Sequence, residues 1–278
     1  MTRPPAAFAA EQLRDTDRDR YFATLVVPAG ARPALGALYA FSAEIAAVRE
    51  RAREPAAGEI RLQWWTDALS GEAPGEVRQN PLAAALLDAV AAFGIPVPPL
   101  LRLIEARRFD LYHDPMPDLA TFEGYAGDTV SALYQLAAMV LNGGSPVETG
   151  DAAGHLGVAE ALVGHLRAFG YNASQGRIFL PHNVLAANGV NDGEVLAGQT
   201  SEGLGEALSQ LAEMAGEHLD KAVQAVAALP RPLRAAFAPA ALVRARLRRL
   251  ALDTPFQPAP DLADWQKLGR MAWWALTA

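Results

Sequence analysis

Residues 37–50 read ALYAFSAEIAAVRE, and this stretch decides the class of structure that the chain adopts. Its larger apolar residues, Leu38, Phe41, Ile45 and Val48, recur at spacings of three and four. Such spacing places them on one face of an α-helix. The pattern therefore predicts a long helix whose apolar face is buried.

The same spacing recurs along nearly the whole chain, and strand patterns are almost absent. Short breaks rich in glycine and proline separate the periodic segments, and none of these breaks is long enough to be a domain linker. We therefore predict an all-α, single-domain helical bundle over residues 15–278, preceded by a loose N-terminal arm over residues 1–14. The predicted helices cover residues 32–52, 56–70, 81–93, 98–112, 121–141, 152–169, 204–229, 232–252 and 261–276.

The composition narrows the class of protein further. With 278 residues, 51% of them apolar, the chain can bury a large core. It contains no cysteine, which excludes disulfides and thiolate metal sites. The 24 basic and 31 acidic residues give a net charge of −7, which argues against nucleic-acid binding. The N-terminal stretch lacks the apolar core of a signal peptide, and no apolar run is long enough to cross a bilayer, so we expect a protein that is soluble or peripheral to a membrane.

Four separated stretches depart from generic helical sequence. The stretches are Arg20-Tyr21-Phe22 with Pro28 and Arg32, Phe109-Asp110-Leu111 with Thr121-Phe122-Glu123 and Tyr125, Gly176-Arg177-Ile178-Phe179-Leu180-Pro181, and His218-Leu219 with Leu229-Pro230 and Arg234. Their order and spacing resemble the squalene/phytoene synthase family over residues 15–255. This resemblance implies the isoprenoid synthase fold, a helical bundle with a central cavity. It also implies ionisation of an allylic diphosphate, whose developing negative charge is neutralised by magnesium held on two aspartate clusters.

Both aspartate clusters of that family are replaced in this chain. The positions that match the first cluster are Ala46, Ala47 and Glu50, and the second cluster aligns with residues 168–172, AFGYN, which contain no acid. The neutral side chain of Asn172 cannot neutralise a magnesium ion. Other acids are badly spaced to substitute, since Glu44 and Glu50 diverge on the helix, Glu160 lies two turns before the second cluster, and prolines crowd the Asp110 and Asp114 pair. We therefore predict no metal site, no cofactor and no catalytic residue.

Residues 40–50, AFSAEIAAVRE, together with Gln63-Trp64, His155-Leu156-Gly157 and Phe179-Leu180-Pro181, carry a narrower resemblance. These segments are similar to those of the assembly factor 6 type of mitochondrial respiratory complex I. The resemblance implies a non-catalytic assembly or chaperone factor whose partner is a complex I subunit or assembly intermediate. Because no targeting presequence is evident, we expect a cytoplasmic location, with peripheral contact at the inner face of the membrane left open.

Seven residues are candidates for lining the cavity and binding an isoprenoid-like or lipid ligand. For the tyrosines, ordinary core packing is the competing interpretation, and for Arg177 it is a surface ion pair. Two other functions stay open: a head-to-head prenyl transferase that uses farnesyl or geranylgeranyl diphosphate with magnesium, and a lipid- or quinone-binding module without a protein partner. The candidates are Tyr39, Ser42, Arg49, Glu50, Tyr125, Asn172 and Arg177.

Two further motifs lie near the C-terminus. Arg244, Arg246, Arg248 and Arg249 form a basic run, for which a solvated face or interhelix ion pairs compete with contact to anionic lipid or an acidic partner. The segment 265–274 is aromatic and amphipathic, and it is suited either to a membrane interface or to packing back onto the bundle.

Overall fold

A computed structural model describes residues 3–52 and 54–278, and over these ranges the chain consists of α-helices, short 3-10 turns and loops, with no strand. The all-α prediction is confirmed. The helices are α1 (Pro5–Thr16), α2 (Arg18–Leu25), α3 (Arg32–Ala46), α4 (Val48–Arg51), α5 (Pro55–Ser70), α6 (Pro81–Phe93), α7 (Val97–Arg108), α8 (Leu119–Ala126), α9 (Ala132–Leu141), α10 (Gly150–Arg167), α11 (Phe169–Ser174), α12 (His182–Ala187), α13 (Asp192–Leu196), α14 (Glu202–Ala228), α15 (Arg231–Arg234), α16 (Ala240–Leu247) and α17 (Asp264–Thr277).

The N-terminal segment corrects the prediction of a loose arm over residues 1–14. From Pro5 onward it forms α1, which packs on α3 and α6 and buries Ala9 and Leu13 completely. Proline at the first helical position suits a helix start, since its missing N–H has no partner there in any case. Residues 1 and 2 lie outside the described residues.

Two groups of helices enclose the core. On one side α1, α3 and α6 pack together, and on the other α10 lies along α14, the longest helix of the described chain. Their buried residues join into one apolar cluster that includes Phe41, Tyr134 and Phe237. Among the helices of the described ranges, none is both long and apolar enough to span a membrane.

Three predicted helices are interrupted. The helix predicted over 32–52 breaks at Ala47 into α3 and α4, and the one predicted over 232–252 is divided by Pro239, whose ring cannot continue a helical hydrogen-bond ladder. The helix predicted over 121–141 contains a wider π-turn over Gly127–Ser131. Such turns insert an extra residue into a helix and are frequent beside functional sites.

Helix α10 packs closely against this π-turn at Gly157. A methyl group added at Gly157 would lie 2.6 Å from the backbone nitrogen of Ser131, well inside contact distance. The Ser131 hydroxyl also donates a hydrogen bond to the carbonyl of Gly154, 3.2 Å away. The absent side chain at Gly157 therefore sets the spacing between α10 and the wall formed by α8, the π-turn and α9.

Candidate functional site

A cavity of about 340 Å³ lies inside the bundle, between α2, α4, α7, α10, α11 and α16. Five arginines and three carboxylates line it, so its wall carries two more cationic than anionic side chains. A lining with this excess of positive charge differs from that of an apolar pocket and favours the binding of an anionic group. The charged lining residues are Arg20, Arg49, Arg107, Arg167, Arg246, Asp17, Asp19 and Glu160.

Arg20 is the most buried of the charged residues in this wall. It is held at the start of α2, where the Asp17 carboxylate accepts a hydrogen bond from its backbone N–H at 3.0 Å. Its guanidinium donates to both carboxylate oxygens of Glu160 at 2.9 Å, and it lies 4.8 Å from the ring centre of Tyr134. Although burial by itself lowers the pKa of Arg20, the Glu160 carboxylate raises it well above its ordinary value. The Arg20 guanidinium therefore stays protonated and positively charged.

The tyrosines around this pair are engaged with it. Tyr134 donates a hydrogen bond to Glu160, and the ring of Tyr39 lies 5.3 Å from the Arg20 guanidinium. Burial raises the pKa of Tyr39 to about 12, so its hydroxyl stays protonated. Tyr39 therefore packs against Arg20 but is not among the described residues that line the cavity.

A second buried triad is built at the end of α7. Arg107 donates to Asp110 at 2.9 Å and to the Tyr125 hydroxyl at 2.7 Å, and Tyr125 donates in turn to Asp110 at 2.8 Å. The 3-10 turn over Phe109–Leu111 brings Asp110 under the arginine. Burial raises the pKa of Tyr125 far above its ordinary value. The Asp110 carboxylate therefore already accepts hydrogen bonds from the Arg107 guanidinium and the Tyr125 hydroxyl.

His165 lies on α10 between three aromatic rings. Its imidazole centre is 5.7 Å from Phe122, 6.3 Å from Tyr125 and 5.3 Å from Phe179. Burial lowers its pKa to about 4, against the attraction of Asp110. The imidazole is therefore neutral near neutral pH and adds no charge to the cavity.

Four of the seven candidate residues meet at a smaller pocket of about 260 Å³ next to the cavity. Arg49, Glu50, Asn172 and Arg177 line this pocket, and Arg49 and Asn172 line the cavity as well. The Arg49 guanidinium lies 5.0 Å from the centre of the Phe179 ring and only 3.9 Å from Glu50, which is largely exposed. Tyr125 lines the cavity from the other side. These five candidates therefore line one or both of the two pockets, and their role as ligand-binding residues stays a prediction.

Ser42 differs from the other candidates. It is buried on α3 and, like Tyr39, is not among the described residues that line either pocket. The helix predicted over 32–52 ends at Ala46, and Ser42 lies within it. The break at Ala47 turns the following residues, so that Arg49 faces the cavity while Ser42 packs into the core.

The acids near the replaced clusters are already paired with cations. Glu44 accepts hydrogen bonds from Gln12 at 2.9 Å and from Arg51 at 2.6 Å, while Glu160 and Asp110 hold Arg20 and Arg107. Over residues 3–52 and 54–278 no group of three or more histidine, aspartate or glutamate side chains is arranged to hold a metal ion. Carboxylates engaged with guanidinium groups are poor magnesium ligands, since binding the ion would leave a buried arginine unpaired. The residues of this cavity do not fit magnesium.

The arginine run near the C-terminus divides between two sites, which the sequence did not indicate. Arg246 points inward and donates to Asp261 at 2.9 Å, next to Asp19, and Lys267 contacts the same two carboxylates at 2.7 and 3.1 Å. Although burial works in the opposite direction, hydrogen bonds from Arg246 and Lys267 lower the pKa of Asp261. This cluster joins α2, α16 and α17 at one end of the cavity.

Sequence reasoning missed the charged residues that dominate the wall, chiefly the Arg20 and Glu160 pair and Arg107. Arg20 was noted only as part of a resemblance and Glu160 only as a badly placed acid. The available signal was a charge inside an apolar helix, as in AEALVGHL at residues 159–166, because such a charge requires a buried partner.

Two solved structures illustrate the architecture that this chain shares with known proteins. A dehydrosqualene synthase superposes with a TM-score of 0.82 at 18% identity, covering 99% of this chain and 97% of that one. A squalene synthase from Alicyclobacillus acidocaldarius superposes with a TM-score of 0.75 at 19% identity, covering 91% and 95%. The fold is that of the isoprenoid synthases, as predicted.

Sequence comparison defines the family. A model of the squalene/phytoene synthase family matches residues 13–266, and the chain belongs to that family. It is similar to the complex I assembly factor 6 of Rattus norvegicus, with 31% identity over 215 residues, which are 77% of this chain and 64% of the rat protein. Phytoene synthase 1 of Arabidopsis thaliana chloroplasts is 33% identical over 127 residues, 44% of this chain and 30% of that protein. The match thus spans somewhat less than two thirds of the rat assembly factor.

Proposed function

We propose that this protein is a non-catalytic member of the squalene/phytoene synthase family that acts as an assembly or chaperone factor for respiratory complex I. Its cavity holds an anionic isoprenoid-like or lipid ligand without a metal or other cofactor. The observation that carries the proposal is that arginines of the cavity wall hold the nearby carboxylates Glu160 and Asp110, which are therefore not free to bind a metal ion. We place the protein in the cytoplasm.

Binding an anion and ionising a diphosphate make different demands on this wall. Binding needs only complementary charge, whereas ionisation needs charge stabilisation that increases in the transition state. An arginine held in an ion pair supplies a fixed charge that is partly neutralised by its partner. Two buried guanidinium nitrogens, Nη1 of Arg20 and Nε of Arg107, have no hydrogen-bond partner among the described residues, so not every donor of the paired arginines is used within the protein. The arrangement favours retention of a ligand over turnover.

The proposed partner, respiratory complex I, is inferred from the relatives of this chain. The assembly factor 6 proteins of rat, mouse, cattle and human match the chain over 77% of its length at 28–31% identity. Their name assigns these relatives to the assembly of NADH dehydrogenase complex I. The replacement of metal ligands in this chain supports a non-catalytic role.

Catalysis is tested by incubating the purified protein with magnesium and farnesyl or geranylgeranyl diphosphate and measuring diphosphate release. We expect no release above the uncatalysed rate, while the same diphosphates bind in the presence of a chelator. Glu50→Gln serves as the matched variant, since Glu50 is the one acid retained at the first cluster. Turnover that requires magnesium and is lost in Glu50→Gln would support the prenyl transferase instead.

The assembly role is tested in the organism that encodes the protein. Deleting the gene should reduce the amount of fully assembled complex I on native gels together with NADH oxidation by membranes, and the wild-type gene should restore both. Normal complex I in the deletion strain contradicts the role. Co-purification of a lipid or quinone with no complex I subunit would favour the simpler binding module.

A further inference from the structure

The structure brings the two unexplained C-terminal motifs together on one surface. Helix α17 packs beside α16, and a broad open groove of about 900 Å³ runs between them. The arginines of the basic run form one wall, and the tryptophans of α17 form the other. We call this surface the arginine-tryptophan groove, and the argument concerns Arg244, Arg248, Arg249, Arg270, Trp265 and Trp273.

The solvent side of α17 is apolar, which is the reverse of an ordinary surface helix. Trp265, Trp273 and Leu276 have relative exposures of 75%, 69% and 82%. At roughly 100° per residue they fall within an arc of roughly 80° on the helix. The opposite side buries Lys267 and Met271 in the bundle. An unpartnered aromatic face on an already anchored helix indicates that something else covers it.

Trp265 and Trp273 cannot pack onto the bundle, because other residues of α17 already occupy the face that contacts it. The neighbouring Trp274 turns inward and donates a hydrogen bond from its indole nitrogen to the carbonyl of Arg234, 3.0 Å away. The orientation of α17 is fixed further by Lys267, which contacts Asp19 and Asp261. Trp265 and Trp273 are therefore held outward by the same contacts that hold the helix.

The positive charge of the groove indicates the kind of partner that it binds. Four arginines and no carboxylate occur among its described lining residues, although the whole chain carries a net charge of −7. Arg244 contacts Asp220 at 2.9 Å, whereas Arg248, Arg249 and Arg270 have no carboxylate within 4.0 Å in the described part of the chain. A concentrated positive charge on an acidic protein attracts anionic partners.

We propose that the arginine-tryptophan groove docks the protein onto the surface of an anionic lipid bilayer. Tryptophan rings prefer the interface between headgroups and acyl chains, and arginines next to them attract anionic headgroups. A membrane accounts for both features at once. An acidic protein could pair with the arginines. It would not by itself explain why Trp265, Trp273 and Leu276 are exposed along one face of the helix.

The test is flotation of the full-length protein with lipid vesicles. Vesicles of phosphatidylcholine with phosphatidylglycerol should carry the protein, vesicles of phosphatidylcholine alone should not, and added salt should release it. The double variant Arg248→Ala/Arg249→Ala should lower the partition coefficient by about 30-fold, at about 1 kcal/mol for each arginine near the surface. Trp265→Ala/Trp273→Ala should lower it by about tenfold or more.

Matched controls are available elsewhere on the surface. Arg78→Ala removes an exposed arginine, and Ile60→Ala removes an apolar side chain that is 72% exposed, both outside the groove. Both controls should bind vesicles as the wild type does. Failure of the wild type to float with anionic vesicles, equal binding to neutral ones, or unchanged binding by both groove variants overturns the proposal. Groove variants that bind vesicles normally but lose an acidic protein would assign the surface to that protein instead.

Discussion

The cavity and the arginine-tryptophan groove are both lined by arginines, but the two regions treat those arginines differently. In the cavity Arg20 is buried and Arg107 is partly buried, and each contacts a carboxylate and a tyrosine. In the groove Arg248, Arg249 and Arg270 are exposed and have no carboxylate nearby within the described ranges. Burial explains the difference, since a charge removed from water needs a partner whereas a solvated one does not.

The contrast separates two uses of one residue type. The paired arginines of the cavity contribute to the stability of the bundle and leave only part of their charge for a ligand. The unpaired arginines of the groove contribute little to stability and keep their charge for a partner surface. Substitutions in the two regions should therefore differ in kind, and the expected effects decrease from the interior to the surface.

The largest effect is expected from Arg20→Ala. This change leaves Glu160 and the hydroxyl of Tyr134 facing a gap, and we expect the free energy of unfolding to fall by about 3 kcal/mol or more. Chemical denaturation followed by circular dichroism measures it. Arg102→Ala is the matched control, because Arg102 pairs with Asp128 at 3.2 Å in an exposed position and should cost less than about 1 kcal/mol. Equal losses for the two variants would remove the distinction between the regions.

A pH effect should come next, through His165. Its pKa is lowered to about 4 in the folded protein, so between this value and the unfolded one near 6.5 the unfolded chain binds more protons. Stability should therefore fall as pH falls, by about 1–2 kcal/mol from about pH 7 to about pH 5. His165→Phe should remove that part of the pH dependence, whereas His113→Gln, in an exposed loop, should keep it. A pH profile unchanged by His165→Phe would contradict the assigned burial.

Ligand binding in the cavity should depend on Arg49. This arginine makes only a long contact with Glu50, so its charge is more available than that of Arg20 or Arg107. We expect Arg49→Gln to weaken binding of farnesyl diphosphate, measured by calorimetry with a chelator present, by about tenfold. Arg78→Gln should have no effect. Unaltered affinity in Arg49→Gln would place the anion elsewhere.

The smallest effect on stability is expected in the groove. Arg248→Ala/Arg249→Ala should change the free energy of unfolding by no more than about 0.5 kcal/mol, because neither side chain has a buried partner. The same denaturation measurement used for Arg20→Ala checks this. A loss comparable with that of Arg20→Ala would make these arginines structural and would weaken the case for a docking surface.

The sequence predicted local structure better than partnerships. Residues 81–93 form α6 as predicted, because Asn80 caps its first N–H groups and Gly94 ends it in a left-handed conformation. By contrast, Arg20 meets Glu160 across 140 positions of sequence. Helical periodicity contains no information about which buried charges will meet.

The candidate site shows the same limit. Arg49 and Asn172 were found because each adjoins a replaced motif, and the structure brings them together at two pockets. Arg246 was grouped with its neighbours in the run 244–249, yet it turns toward Asp261 while Arg248 and Arg249 face solvent. Arg246 lies within α16 whereas Arg248 and Arg249 follow its end, and the partners of Arg246 come from distant parts of the chain.

The close approach at Gly157 has a consequence for genetics. Any side chain at this position would push α10 away from the π-turn, and the cavity lies on the face of α10 that carries Glu160 and His165. In a saturation screen scored by growth, Gly157 should therefore tolerate almost no substitution and rank beside the residues that bind ligand or partner. Protein abundance measured in the same library would distinguish it, since variants of Gly157 should disappear from the soluble fraction.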